Sequence, residues 1–369
     1  MASIAYHLQQ QSTRFADRYI PERYTPWVKA SAWGMLIANM GIVATGGIVR
    51  LTGSGLGCDN WPRCNAESWT TTPEMGIHGA VEFGNRLLTF VLMAFTIAAF
   101  LAIVRLVFPG ITRKGFAEMF FSQKKVIKGL RTSENRYADL FNLALLLLWG
   151  IPLQAVVGGV SVWLKLNPWM ITAHYVLSAI MIALAAIFLN RIYRYFVPDV
   201  AASEDIAGPV PNGANIMHQL GWVGTFIASV IIFVGTVVTG TGPHAGDPMT
   251  HRHPFDALVV TRTHSISAWS FCAGIIILYV LAKKYSWPNM IKRSLNITVI
   301  VLLVQAAIGY YQYFNGLPIV VVELHLIGSA LFTWVAASLI ERMLTLSKTS
   351  SRELALNRVD RVQTEDTLR

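Results

Sequence analysis

Stretches of about 20 apolar residues, separated by short polar breaks, recur along the whole chain. A helix of that length spans the hydrocarbon core of a bilayer, and a helix satisfies its backbone polar groups there without water. Only 14% of the 369 residues are charged, roughly half the share found in soluble domains. We therefore predict an all-α integral membrane protein. Its eight predicted transmembrane helices are residues 27–49, 80–104, 138–163, 169–190, 219–239, 263–282, 294–314 and 319–340.

The positions of the lysine and arginine residues predict the orientation of these helices. If the N-terminus is cytoplasmic, 24 of the 30 Lys and Arg residues fall on cytoplasmic segments. Membrane proteins retain positive charge on that side. The pattern indicates a multi-pass protein of the cell (plasma) membrane with both termini in the cytoplasm. It also accounts for the net charge of +10, so no nucleic-acid partner is expected.

The chain contains an internal repeat. Residues 153–186 align without gaps with residues 304–337, which pairs His174 with His325. Because four helices return the chain to the side where it started, we predict two tandem four-helix bundles of the same orientation. The predicted parts are a cytoplasmic segment 1–26, an N-terminal bundle 27–196, a cytoplasmic linker 197–216, a C-terminal bundle 217–343 and a cytoplasmic tail 344–369.

Four histidines are predicted near the outer ends of the transmembrane helices. His174 and His325 lie about two turns into the fourth and eighth helices, while His78 and His264 begin the second and sixth. Ionisable side chains inside a membrane are uncommon and usually functional. Two imidazoles on facing helices of a bundle can bind a haem iron from both sides. We therefore predict a haem in each bundle; ordinary structural histidines and a four-histidine metal site are the alternatives.

Glu82 is a carboxylate inside the second predicted helix, one turn after His78. Placing such a group in a membrane costs about 2.5–3.5 kcal/mol, so a compensating partner is expected. One interpretation is a structural ion pair with Arg86, four residues further on. The other is a proton acceptor beside a bound haem. The matching region of the second copy lacks an acid, so only the N-terminal bundle is expected to be reactive.

The two long outer loops carry further candidate residues. Cys58 and Cys64 lie in the first loop, on the oxidising side of the membrane, where we expect them to form a disulfide; a metal-binding pair is the alternative. The second loop contains His244, His251 and His253. We interpret these three histidines as solvated loop residues.

Several of these segments together resemble bacterial haem A synthase. They are GGIVRLTGSGLGCDNWPRC, HGAVEFGNRLL, and the duplicated helix with Gln154 and His174 in one copy and Gln305 and His325 in the other. The resemblance covers all eight predicted helices. It implies that the chain oxidises the C8 methyl of haem O to a formyl group in two successive steps, giving haem A.

The resemblance also implies a set of iron ligands. His264 and His325 would bind a haem b in the C-terminal bundle as a redox cofactor. His174 would bind the substrate haem in the N-terminal bundle. Asn85 occupies the position at which the family commonly has a second substrate-haem ligand. His78 is therefore the alternative ligand on that side.

The remaining implied roles concern catalysis and partners. Glu82 matches the family's essential acid, with Arg86 as a supporting residue, and Cys58 and Cys64 match its first-loop disulfide. The implied partners are membrane lipid, an electron acceptor of unknown identity, and haem O delivered by a haem O synthase; a homo-oligomer is left open. The alternative function is a dihaem b-type electron-transfer protein that exchanges electrons with quinone and does not modify haem.

Overall fold

A computed structural model describes residues 18–109, 111, 137–197, 211–247 and 250–348. In these residues the chain forms eight long helices and no strand, and each helix is long and apolar enough to cross a membrane. We number them α1 Pro26–Leu51, α2 Gly76–Val107, α3 Ala138–Trp163, α4 Pro168–Phe196, α5 Ala214–Thr241, α6 Ala257–Lys284, α7 Asn289–Phe314 and α8 Ile319–Lys348. A short 3₁₀ helix, Pro73–Met75, precedes α2.

The all-α membrane architecture and the eight predicted spans are confirmed. Several helices run beyond the predicted ends, because a helix continues past the apolar core into polar residues; α2 begins at Gly76 rather than at residue 80. The predicted N-terminal segment is described only from Arg18 onward. Most of the loop after α2, most of the predicted linker, and the tail beyond residue 348 lie outside the described residues.

The starts of α4 and α6 follow from the local sequence. Pro168 is in the first turn of α4, and the side chain of Asn167 accepts a hydrogen bond from the backbone N–H of Trp169. Asp256 caps α6 in the same way by accepting from the N–H of Val259. Asn or Asp at the N-cap accepts a hydrogen bond from a backbone N–H that would otherwise lack a partner. Proline in the first turn has no backbone N–H that needs one.

The internal repeat extends to the backbone of the outer turns. The N–H of Leu166 donates to the carbonyl of Ser161 at 2.8 Å, and the N–H of Leu317 donates to that of Gln312 at 2.9 Å. Leu166 and Leu317 both have a positive φ, 56° and 59°. The α3–α4 and α7–α8 turns therefore share one conformation at matching positions.

The helices pack as two rings of four. In the first helix group, α1–α4, each helix packs against its neighbours in the chain and α4 closes against α1; in the second helix group, α5–α8, α8 closes against α5 in the same way. The two groups meet through α1, α4, α5 and α8. The loops after α1 and α5 touch each other, since the N–H of Gly55 donates to the carbonyl of Gly246 at 2.9 Å. We call this side the outer side.

Each group has a layer near the outer side in which few side chains are buried. In the second group the buried residues of α6 and α7 all lie in the inner halves, and residues 257–270 and 299–314 include none. In the first group the corresponding stretches are residues 83–91 of α2 and 152–158 of α3. His174, His264 and His325 lie at this level of their helices.

Candidate functional site

The structure brings His264 on α6 and His325 on α8 together. Their ring centroids are 6.4 Å apart and their planes are inclined by 79°. The Nδ1 atom of each ring is buried and has no hydrogen-bond partner among the described residues. Two imidazoles bound to one metal atom from opposite sides, with metal–nitrogen bonds of about 2 Å, have centroids about 6 Å apart. The pair is thus spaced to hold a metal-centred group between its rings.

Three of the candidate ligand histidines each pack against a glycine on a neighbouring helix. A Cβ atom at any of these glycines would crowd the Cε1 atom of the ring, so the missing side chain leaves the space that the imidazole needs. The pairs are Gly158–His174, Gly235–His264 and Gly309–His325, with distances from the added Cβ to Cε1 of 3.2, 3.1 and 3.3 Å.

A glutamine lies one turn before the glycine on both α3 and α7. In the second group, Gln305 Nε2 donates directly to the carbonyl of His325 at 3.1 Å. In the first group the connection passes through a serine: Gln154 Nε2 donates to Ser178 Oγ at 2.7 Å, and that hydroxyl donates to the carbonyl of His174 at 3.0 Å. The sequence showed these glutamines as repeat matches, but their contacts with the histidine backbone were missed.

The two facing imidazoles of His264 and His325 are a donor set that fits a haem iron. A haem iron needs only two ligands from the protein, and its macrocycle needs apolar walls. The outer halves of α6 and α7 present large side chains that the protein does not bury, including Trp269 and Tyr310, whose indole N–H and hydroxyl lie 3.1 Å apart. Within the described part of the chain, no group of three or more His, Cys, Asp or Glu residues is placed to hold a metal ion.

In the first group, His174 has no imidazole opposite it among the described ring contacts. Its Nδ1 atom is buried and unpaired within the described residues. His78 instead has an exposed side chain at the junction of the first outer loop and α2, where its Nδ1 lies 2.9 Å from Ser54 Oγ. The structure therefore does not place His78 and His174 as it places His264 and His325.

Asn85 faces α1. Its Oδ1 accepts a hydrogen bond from Thr45 Oγ1 at 2.7 Å. The geometry parallels that of His264, which faces Gly235 on α5, the second-group counterpart of α1. Asn85 and His264 thus each contact the first helix of their own group, and a threonine already binds the Asn85 amide.

Glu82 is nearly buried, with 6% of its surface exposed. Its Oε2 accepts the backbone N–H of Cys58 at 2.6 Å, and its Oε1 forms an ion pair with Arg86. Arg86 also donates to the carbonyls of Asn60 and Arg63, at 3.0 and 3.2 Å. Of the two interpretations of Glu82, the ion pair is present, and it attaches the first outer loop to α2.

The first outer loop closes the outer side of the first group. Cys58 and Cys64 form a disulfide, and both are fully buried. Trp61 packs where the side chain of Gly159 would be, and its carbonyl accepts the indole N–H of Trp163 at 3.0 Å. The loop is therefore fixed both to α2 and to the end of α3.

One expectation about the second outer loop is wrong. His253 is only 4% exposed, and its ring lies against Trp169 and Phe255, with centroids 4.4 and 5.5 Å away. Burial lowers the pKa of this imidazole below its ordinary value. His251 is exposed as expected. His244 Nε2 lies 3.0 Å from the carbonyl of Leu317.

Polar side chains for which the sequence predicted no role lie between the two groups. Arg50 Nη2 donates to the carbonyl of Thr239 at 2.5 Å, and the hydroxyls of Tyr175 and Ser329 are hydrogen-bonded to each other. Both carboxylate oxygens of Glu323 are buried without a hydrogen-bond partner among the described residues. These contacts join helices that are distant in the chain, so no local pattern could indicate them.

Comparison with known proteins gives two findings. The profile of the COX15-CtaA family, described as cytochrome oxidase assembly protein, matches residues 29–337. A stretch of 75 residues is 37% identical to part of the protein named protoheme IX farnesyltransferase in each of two strains of Thermus thermophilus. That stretch is 20% of this chain and 12% of each relative, so it spans about an eighth of the relatives' length.

Proposed function

The chain belongs to the COX15-CtaA family, the haem A synthase family, and we propose that it oxidises the C8 methyl of haem O to the formyl group of haem A. Membership gives it a role in providing haem A for cytochrome oxidase. With water as the oxygen donor, the two steps take up one water molecule and release four protons and four electrons through an alcohol. The electrons pass to an acceptor that the sequence does not identify.

The observation that carries the proposal is the His264–His325 pair. The 6.4 Å spacing of the rings and their buried, unpaired Nδ1 atoms support haem b as the group held in the second helix group. When bound, haem b supplies one-electron redox chemistry. Gly235 and Gly309 provide the space for the two rings, and Gln305 holds the backbone carbonyl of His325.

The first helix group is the proposed substrate site. His174 would bind the iron of haem O, and the proposed base is Glu82, the carboxylate buried at the outer end of α2. Oxidising a methyl group releases protons as well as electrons, so an acceptor for protons is needed near the reacting carbon. The N–H of Cys58 and the guanidinium of Arg86 hold the carboxylate in position.

The proposed partners and location follow from the family and the charge pattern. A haem O synthase would supply the substrate; the short match to a protein named protoheme IX farnesyltransferase supports this link. The eight helices make the chain a multi-pass membrane protein. The distribution of Lys and Arg supports a plasma-membrane location with cytoplasmic termini.

The test of the proposal is Glu82→Gln in the full-length protein. The amide keeps an acceptor for the N–H of Cys58, so we expect the outer loop and bound haem b to persist. Conversion of haem O to haem A should fall by about a hundredfold or more, the usual effect of losing a general base. Glu74→Gln, which changes an exposed acid just before α2, is the matched control. An unchanged yield of haem A would remove Glu82 from the mechanism.

Extraction of the bound pigments tests the function as a whole. Haem O and haem A together with haem b in the purified protein support the synthase. Haem b alone, with no conversion of added haem O, would favour the dihaem electron-transfer protein, because that function uses the same histidines without modifying haem.

A further inference from the structure

Within the described part of the chain, Arg50 is a cation without a paired anion. It lies at the outer end of α1, and its described hydrogen bond is the one from Nη2 to the carbonyl of Thr239 on α5. Among the described residues, no Asp or Glu oxygen lies within ion-pair distance of its guanidinium. Arg252 adds a second positive charge nearby. A guanidinium in a poorly solvated place is costly unless an anion accompanies it.

Arg50 also lines a small cavity between the two helix groups. The other walls include Pro168, Gly240, Thr250 and His251, and none of the described lining residues is acidic. Thr250 is 8% exposed, and its buried Oγ1 has no hydrogen-bond partner within the described residues. A guanidinium, a hydroxyl and an imidazole facing one space can all donate to an anion, and the planar guanidinium suits a carboxylate.

Arg50 is connected to the proposed haem b site through α5. Thr239, whose carbonyl Arg50 contacts, is one turn outward from Gly235, and its Oγ1 donates to the carbonyl of Gly235 at 2.7 Å. Gly235 is the residue against which His264 packs. The Arg50 guanidinium is therefore about one helical turn, some 6 Å along α5, outward from the level of the histidine pair.

We propose that Arg50 binds a propionate carboxylate of the haem held by His264 and His325. A residue of the first helix group would then help to hold the cofactor of the second, with Thr250 as a second donor to the same carboxylate. The inference rests on the proposed haem-binding function, and it adds a contact across the boundary between the groups.

Glu323 is the alternative partner for Arg50. It lies on α8 with its carboxylate against Gly47, which is one turn before Arg50 on α1. Its oxygens have no partner among the described residues, so a change of rotamer could bring the two charges together. An experiment must therefore separate a propionate from an internal acid and from the phosphate of an anionic lipid.

The experiment uses full-length protein purified from haem-starved cells and placed in phosphatidylcholine nanodiscs. It is titrated with haem b and with haem b dimethyl ester, in which both propionates are neutral. Arg50→Gln should weaken binding of haem b by about tenfold to a hundredfold, the effect of losing a charge-assisted hydrogen bond. Binding of the ester should be the same in Arg50→Gln and in the unmodified protein. Arg50→Lys, which keeps the charge, should recover part of the loss.

Arg63→Gln is the matched control, because Arg63 is an outer-loop arginine that stacks on Trp69 and does not line the cavity. It should bind both haems like the unmodified protein. Thr250→Val is a second test variant, in which the charge of Arg50 is unchanged. It should weaken haem b by a few fold and leave the ester unchanged.

Three results would overturn the inference. Equal losses for haem b and its ester in Arg50→Gln would show that Arg50 acts only through Thr239, by holding the groups together. No loss for either haem would show that the partner of Arg50 is Glu323 or a lipid phosphate. The partner is the lipid if the unmodified protein retains added phosphatidylglycerol and Arg50→Gln does not. Failure of the unmodified protein to bind any haem would reject the proposed function as well. The first two results reject only the role of Arg50, so the two kinds of failure can be told apart.

Discussion

The two helix groups share a repeated plan but differ at their outer ends. In the first group, a disulfide-bonded loop covers the outer side, with Trp61 packed on Gly159 and the N–H of Cys58 bound to Glu82. In the second group, the outer halves of α6 and α7 bury no residue. Among the described residues, the first group has one imidazole without a partner at this level, His174, whereas the second has a facing pair.

This difference separates the features that both groups share from those of the first group. The parts shared by both copies are a glycine beneath the imidazole of His174 and of His325, and a glutamine that contacts the backbone of the same histidine directly or through a serine. The acid, its arginine and the loop that binds both occur in the first copy. The features proposed to hold a haem are therefore the repeated ones, and the features proposed for chemistry lie in the first copy.

The largest expected effect comes from breaking the pair in the second group. His325→Ala should remove haem b from the purified protein, lowering its content at least tenfold, because one of the two proposed imidazole ligands is lost and the other is left unpaired. Haem content is measured from the pyridine haemochrome spectrum per mole of protein. The control is His218→Ala, which removes a histidine at the inner end of α5, where its Nδ1 lies 3.1 Å from Ser347 Oγ. Normal haem b content in His325→Ala would show that the His264–His325 contact is structural.

Much of this site could be predicted from the sequence because its signals are periodic or local. The apolar runs predict all eight helices, since a membrane demands one length and one conformation. The gapless repeat predicts that His174 and His325 are equivalent. The four-residue spacing of Glu82 and Arg86 predicts that their side chains meet on one face of a helix.

The rest depends on how helices and loops are rotated and packed against each other. His78 and Glu82 share a helix face by spacing, yet His78 lies one turn further out, where Ser54 of the loop binds it. The burial of His253 and the contact from Arg50 to Thr239 join segments far apart in the chain. No periodicity in a single sequence encodes such contacts.

An intermediate effect should follow from making the first group resemble the second. Asn85→His introduces an imidazole at the position that parallels His264, at the expense of the hydrogen bond from Thr45, worth about 1 kcal/mol. In protein loaded with haem O, we expect a fraction of the bound haem to change to the low-spin absorption typical of two imidazole ligands. Absorption spectra before and after loading measure this fraction.

The matched control for this change is His78→Ala. Since His78 binds Ser54 and has an exposed side chain, its loss should leave the haem O spectrum unchanged. If His78→Ala alters the spectrum and Asn85→His does not, the ligand opposite His174 is His78, and the parallel between Asn85 and His264 fails.

The smallest expected effect concerns the place where the outer ends of the two groups meet. His253 packs on Trp169 of α4 and occupies the space beside Gly240 of α5, and its backbone N–H donates to the carbonyl of Gly240 at 3.1 Å. Burial lowers the pKa of His253 below its ordinary value of 6.5, so the folded state favours the neutral ring. The unfolded chain then binds more protons than the folded one below that pH, and stability should fall as the pH drops through about 6.5.

His253→Phe keeps a ring against Trp169 but cannot titrate, so it should flatten this part of the pH profile. Thermal midpoints measured between about pH 5 and pH 8 test the difference. Identical profiles for the two proteins would mean that the charge of His253 does not affect how the two groups are held together.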